Sequence, residues 1–208
     1  MGRYINATCR LCRREAEKLF LKGTKCATQK CPITKRSYAP GQHGMGKSKL
    51  SNYGLQLREK QKVKRIYGVF EAQFRKYFHI AAKTKGVTGK VLLQLLERRL
   101  DNVIFRLGFA VSRAQARQAV RHNFILVNSH RVNIPSFLIH KDDVIEVSTK
   151  ENLRKRVKEM MELAKDRGVP AWLELDTNAL KAKVLRLPEK DDISSAIQEQ
   201  LIVELYSK

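Results

Sequence analysis

The 208-residue chain carries 42 Lys and Arg against 20 Asp and Glu, a formal net charge of +22 with a pI near 10.2. That length holds one or two domains with a real core, and a hydrophobic content of 43% is ordinary for a globular protein and excludes a disordered one. So large a charge calls for a polyanion, nucleic acid or an anionic membrane surface, while the lack of any long apolar run excludes a membrane-spanning helix.

The charge is uneven along the chain. Residues 1–65 hold seventeen Lys and Arg against three Asp and Glu, whereas residues 189–208 hold two against five. The first third is therefore where phosphate contact is expected. It opens without a signal-peptide core, and Asn6 spoils a myristoylation motif, so the simplest location is a reducing cytoplasm. All four cysteines lie in residues 1–50: Cys9, Cys12, Cys26 and Cys31, spaced C-x2-C-x13-C-x4-C. Two close pairs joined by a short loop match a structural zinc site, in which four thiolates fill a tetrahedral shell. Neighbouring Lys and Arg favour thiolate and offset its charge. Free thiols, a disulfide pair and an iron–sulfur cluster are the alternatives. One structural zinc is the expectation, and its role is to fold a basic segment with little core of its own.

Residues 36–49 are rich in Gly, Ser and Lys and read as a loop or arm. Gly41 to Ser48 matches the phosphate-loop letters G-x4-G-K-S, but no buried apolar strand precedes it, so nucleotide hydrolysis is not expected. Lys47 and Lys49 suit phosphate contact, and Tyr38 suits stacking on a base.

Three helices are expected over residues 51–97. Ser51 caps a basic helix over 52–67 that Gly68 ends. Its apolar contacts are Leu55, Leu57, Val63 and Ile66, and its charges are Arg58, Lys60, Lys62, Lys64 and Arg65. Of these, Arg58, Lys62 and Arg65 are candidate phosphate ligands. Phe70, Phe74, Tyr77, Phe78 and Ala81 form the stripe of a second helix, more in keeping with a core than with a ligand site. Thr88 opens a third, with Val91, Leu92, Leu95 and Leu96 inward.

Residues 98–147 are the most patterned stretch. Leu100, Val103, Ile104 and Leu107 recur at helical spacing and Gly108 stops the helix. Ser112 and Gln115 can form a capping box for a second helix. Arg113, Arg117 and Arg121 recur every fourth residue on that helix, so they share a face and repel. A polyanion would offset the repulsion, and guanidinium forks suit phosphate. Phe124–Val127 reads as a strand, Asn128-Ser129 as a turn, and Val144–Val147 as a further strand. Beyond it, residues 153–167 read as a helix, 172–175 and 183–187 as short strands, 188–196 as an acidic loop and 201–205 as a final strand.

Arg99-Leu-Asp-Asn-Val103, Arg106-Leu-Gly108, Ser112-Arg113, Gln115-Ala-Arg117, Val120 and Ile125-Leu-Val-Asn128 resemble the RNA-binding module of the ribosomal S-four family. The chain departs from that pattern at His122-Asn123 and Asn128-Ser129, where the family often has His-Gly and Asn-Gly. The flanks fit as well: Tyr38-x-Pro40-Gly41-x-His43-Gly44, Leu57 to Lys62, Ile66-Tyr-Gly68 and Glu199 to Ser207 are similar to bacterial S-four, its zinc-binding branch. The resemblance runs from residue 3 to 207. It implies an α+β protein with a zinc-bound basic segment at 1–50, a helical domain at 51–97, the RNA-binding module at 98–161, and a C-terminal region at 162–208 that packs back on the other parts. It also implies a primary binder of small-subunit ribosomal RNA at a 5′-domain junction. Such a protein nucleates assembly, neighbours ribosomal protein S-five and the messenger RNA path, and influences decoding accuracy. The alternatives are an RNA-modifying enzyme carrying the same module and a DNA-binding zinc protein. No catalytic residue stands out, because His43, His79, His122, His130 and His140 are scattered and lack general acid–base partners.

Overall fold

The computed structural model describes residues 2, 4–46, 49–193 and 197–207. The chain gathers into two compact units, residues 1–92 with 195–208, and residues 93–194.

The first unit opens with short elements. These are α1 (Cys9–Glu15), a 3-10 turn at Gly23–Cys26 and α2 (Pro32–Lys35). The long helix α3 (Asn52–Ile66) follows, capped by Ser51, whose Oγ accepts from the Gly54 N–H at 3.1 Å. Its end is a Schellman turn. Gly68 takes φ +62°, its N–H reaches the Arg65 carbonyl, and the Val69 N–H reaches that of Lys64. Helix α4 (Glu71–Lys83) buries Phe74, Tyr77, Phe78 and Ala81, as its stripe predicts, but Phe70 precedes it and is exposed. On α3 it is Leu55 that is exposed and Lys60 that is buried. The expected final strand is instead a helix, α9 (Glu199–Tyr206). A short apolar run fits either period, and here Ile202 is fully buried and the helix packs on α3. The Tyr206 ring stacks on Phe78 at 4.6 Å between centroids.

Helix α5 (Thr88–Glu97) carries the chain into the second unit. There α6 (Leu100–Arg106) and α7 (Arg113–Arg121) pack together, and α8 (Glu151–Ala164) follows the first strands. Five antiparallel strands form one sheet in the order β2-β1-β3-β5-β4: β1 (Ile125–Val127), β2 (His130–Arg131), β3 (Val144–Val147), β4 (Leu173–Asp176) and β5 (Lys181–Val184). The last two lie within a few residues of their expected places. A single apolar cluster joins Leu100, Ile104 and Leu107 to Ala116, Val120, Ile125, Ile145 and Trp172. The fold is α+β. No helix among the described residues is long and apolar enough to cross a membrane.

Candidate nucleic-acid interface

Helix α6 is buried along its whole length. Its first backbone donors lack a side-chain cap. Instead, Leu100 and Asp101 donate to the carbonyls of Phe137 and Pro135, at 2.9 and 3.1 Å. Arg98 completes the join, donating from Nε to the Ile139 carbonyl at 2.8 Å. The polar letters of the Arg-Leu-Asp-Asn stretch are therefore structural. Arg99 and Asp101 form a buried two-point ion pair at 3.1 and 2.6 Å. Glu97 receives Arg106 at 2.7 and 3.1 Å and the Asn102 amide at 2.6 Å. Buried charges are tolerated only when matched in this way.

This network reaches the arginine helix. Arg113 donates from Nε to Asn102 Oδ1 at 2.8 Å and lies over the Phe105 ring at 4.3 Å. Arg117 pairs with Asp101 at 3.4 Å. The repulsion expected along α7 is thus offset in part from within, by α6. Arg121, the third of the row, is exposed and has no ion-pair partner among the described residues. The cap is also slightly different from a reciprocal box. Ser112 Oγ accepts from the Gln115 N–H at 3.3 Å, but Gln115 Oε1 accepts from the Val111 N–H, one residue further back.

From Arg121 the chain turns through Asn123 at φ +59° into β1. The β1–β2 hairpin closes with Asn128 and Ser129 both in the left-handed region, at φ +50° and +67°. Asn128 locks this turn to β3. Its Nδ2 donates to Asp143 and its Oδ1 accepts from the Val144 N–H, both at 2.8 Å. His122, His130 and Arg131 are exposed in this α7-to-hairpin stretch. Arg131 belongs to no basic run, and its place just after a two-residue turn is the one sequence signal that marks it.

The candidates on α3 are engaged internally. Arg58 and Arg65 both pair with the buried Glu15, the former at 3.3 Å. Burial raises the Glu15 pKa despite those two guanidiniums. Lys62 pairs with Glu59 at 3.0 Å and Glu17 at 3.5 Å. Lys60 and Lys64 both reach Glu71 at 2.9 Å. Burial raises the Glu71 pKa, but hydrogen bonds from Lys60, Lys64 and Tyr206 outweigh it and hold the carboxyl at about 2. Lys49 is exposed, and Lys47 lies outside the described residues. Tyr38, expected to offer a face for stacking, is covered by Arg13 at 4.9 Å; Arg13 and Arg14 also donate to the carbonyls of Tyr38, Ala39 and Pro40.

Cys9, Cys12, Cys26 and Cys31 line one small pocket with Thr8, Lys22 and Lys25. All four are free thiols, and three are buried. As placed, no three His, Cys, Asp or Glu side chains among the described residues meet closely enough to hold a metal ion. The donor chemistry nevertheless fits one. The Lys22 N–H donates to Cys26 Sγ at 3.3 Å. Burial raises the pKa of Cys12, a Leu19 N–H opposes that, and the other three cysteines raise it further. The thiols thus feel one another, and a shared cation would relieve that repulsion.

Residues 3–97 match the family described as "Ribosomal protein S4/S9 N-terminal domain", and residues 98–145 match "S4 domain". The chain is 57% identical over 208 residues to "Small ribosomal subunit protein uS4" of Thermodesulfovibrio yellowstonii, 58% to that of Dictyoglomus turgidum and 59% to that of Thermoanaerobacter pseudethanolicus. In each case all of both chains is covered.

Proposed function

We propose, from the premise that this chain belongs to the uS4 family of small-subunit ribosomal proteins, that it folds and holds a multi-helix junction of the small-subunit RNA. It is a structural, RNA-binding constituent of the ribosome in the cytoplasm, and not an enzyme. The reading that it binds early, at a 5′-domain junction, beside ribosomal protein S-five and the messenger RNA path, rests on its resemblance to the bacterial family. The same reading gives it an influence on decoding accuracy. The single observation that carries a contact face is the α7-to-hairpin stretch, where the cations not consumed by the α6 network are exposed. Arg121 and Arg131 there neutralise crowded phosphates. Specificity comes from RNA shape, 2′-hydroxyls and loop bases, since the A-form major groove admits side chains poorly.

We infer further that Cys9, Cys12, Cys26 and Cys31 hold one structural zinc. Their shared pocket, the burial of three of the four and the Lys22 N–H donated to Cys26 support it. The ion would supply a tetrahedral tie between α1, the 3-10 turn and α2, with no open position for chemistry.

The experiment is binding to the small-subunit RNA 5′ domain, against an unrelated structured RNA of equal length, over a salt series. Affinity falls with salt for both, and binding to the 5′ domain persists where the other RNA has released. Arg121→Glu weakens binding far more than Lys190→Glu, which lies in an acidic segment. Arg117→Glu is the poorer probe, because it also sets a carboxylate against Asp101. Equal affinities for the two RNAs at every salt contradict the ribosomal reading.

A further inference from the structure

We propose that the outer face of α4 is a second phosphate-binding surface, one that seats the backbone of structured RNA. The proposal rests on the reading that this chain binds ribosomal RNA, and adds a contact region that no charge run in the sequence marks out. Helix α4 turns Phe74, Tyr77, Phe78 and Ala81 inward. Its other side forms a shallow groove lined by Ala72, Arg75, Lys76, His79, Ile80 and Lys83. Arg75, His79 and Lys83 follow one another at every fourth residue, about one 5.4 Å helical turn apart.

The carboxylates nearest this helix are already committed elsewhere. Each of the five cations on the neighbouring α3 has a carboxylate partner: Glu15, Glu17, Glu59 or Glu71. The single carboxylate on α4, Glu71, is spent on Lys60, Lys64 and Tyr206. Lys76 and Lys83 are exposed and have no ion-pair partner among the described residues. Lys76 and Lys83 are seven residues apart, two helical turns along the same face. On α7 the protein itself pairs part of the cation row; on α4, among the described residues, it pairs neither of these two lysines.

Arg75, Lys76 and Lys83, set along one helix face, suit a phosphate backbone. A protein partner of comparable strength would need a buried aromatic or large apolar anchor at the centre of the patch. This groove offers only Ala72 and Ile80, the latter 38% exposed. RNA is therefore the occupant the chemistry favours.

The test uses the full chain with the charge-removing pair Lys76→Gln and Lys83→Gln, and the charge-keeping pair Lys76→Arg and Lys83→Arg. Binding to the small-subunit 5′-domain RNA is followed across salt, with thermal melts as a check on folding. The Gln pair is expected to melt as the parent does. Its plot of log affinity against log salt should be shallower by about 1.4–1.8, from roughly 0.7–0.9 for each phosphate no longer neutralised. The Arg pair should keep the parental slope. An unchanged slope in the Gln pair, with the parent still preferring the 5′ domain, overturns the α4 proposal and leaves the face to an acidic protein. A parent chain with no preference for that RNA overturns the functional reading and this proposal together.

Discussion

In residues 93–194 twenty buried apolar side chains, running from α6 to β5, form one cluster. Among the described part of residues 1–50 the buried apolar residues are Cys12, Leu19, Cys26 and Cys31. Apolar burial is the dominant favourable term in folding, and it is concentrated in one of these regions. The cluster of twenty gives residues 93–194 a continuous core. Four buried residues, three of them thiols, give residues 1–50 almost none. The second unit is therefore held by its own core, and the N-terminal segment needs a bond from elsewhere. The comparison teaches that basic residues have two different duties in one chain. In α3 and α6 they are struts matched to carboxylates; at the end of α7 they stand open.

The largest effect that tests this contrast is metal removal. A structural zinc supplies about 10–16 kcal/mol of apparent folding free energy in small zinc modules at neutral pH. Stripping the proposed zinc should therefore abolish hydrogen-exchange protection over residues 9–35, while residues 98–147 keep theirs. Exchange measured before and after chelation, beside the metal content of the purified chain, decides the matter. Unaltered protection over 9–35 in a verified metal-free sample would mean that the thiols alone suffice.

The next effect lies within the second unit. Glu97→Ala takes the paired carboxylate from the Arg106 guanidinium, which is 6% exposed, and one of two acceptors from the Asn102 amide, which keeps the Glu97 carbonyl. Breaking a buried, hydrogen-bonded pair from one side costs about 3–5 kcal/mol. Arg58→Ala, which breaks a half-buried pair in the first unit and leaves Glu15 its Arg65, should cost about 1 kcal/mol or less. Trp172, the only tryptophan and buried in the second unit's core, reports unfolding in urea for Glu97→Ala, and far-ultraviolet circular dichroism serves for Arg58→Ala. Similar losses for the two variants would erase the distinction between core strut and surface strut.

Much of this is legible in the sequence. Ser51, Gly68 and Ser112 mark helix ends through hydrogen bonds that depend on residue type and a spacing of a few positions, so local letters suffice. The stripe of α4 and the strands beside Asn128-Ser129 are readable for the same reason. Whether a cation is a strut or a ligand is not readable, because that depends on carboxylates distant along the chain. Glu15 meets Arg65 across fifty residues, and Asp101 meets Arg117 across sixteen. Residues 201–205 read as a strand because Leu-Ile-Val carries no period, and their helical form is set by packing on α3. Lys76 follows Arg75 and Lys83 precedes Thr84-Lys85, and their seven-residue spacing puts them on one helical face, but the commitment of Glu71 to other partners is visible only in the fold.

The smallest effect concerns the β1–β2 turn, one of several places where a residue other than glycine holds a positive φ. Ser129 holds φ +67° without glycine's freedom, a conformation that costs an ordinary L-residue about 1–2 kcal/mol. Glycine would remove that cost and bring back about 0.5–1 kcal/mol through the entropy of the unfolded chain. Ser129→Gly is therefore expected to stabilise the second unit by roughly 0.5–1 kcal/mol, which for a chain of this size is about 1–4 °C in melting temperature. Asn128→Gly has the opposite sign. It gains the same backbone freedom but loses the two 2.8 Å bonds to Asp143 and Val144 that tie the turn to β3. A melt in which both glycine variants rise would show that the side-chain tie carries no weight. One in which both fall would show that Ser129 contributes more than its backbone. Only opposite signs fit a hairpin whose first residue is an anchor and whose second is a tolerated strain.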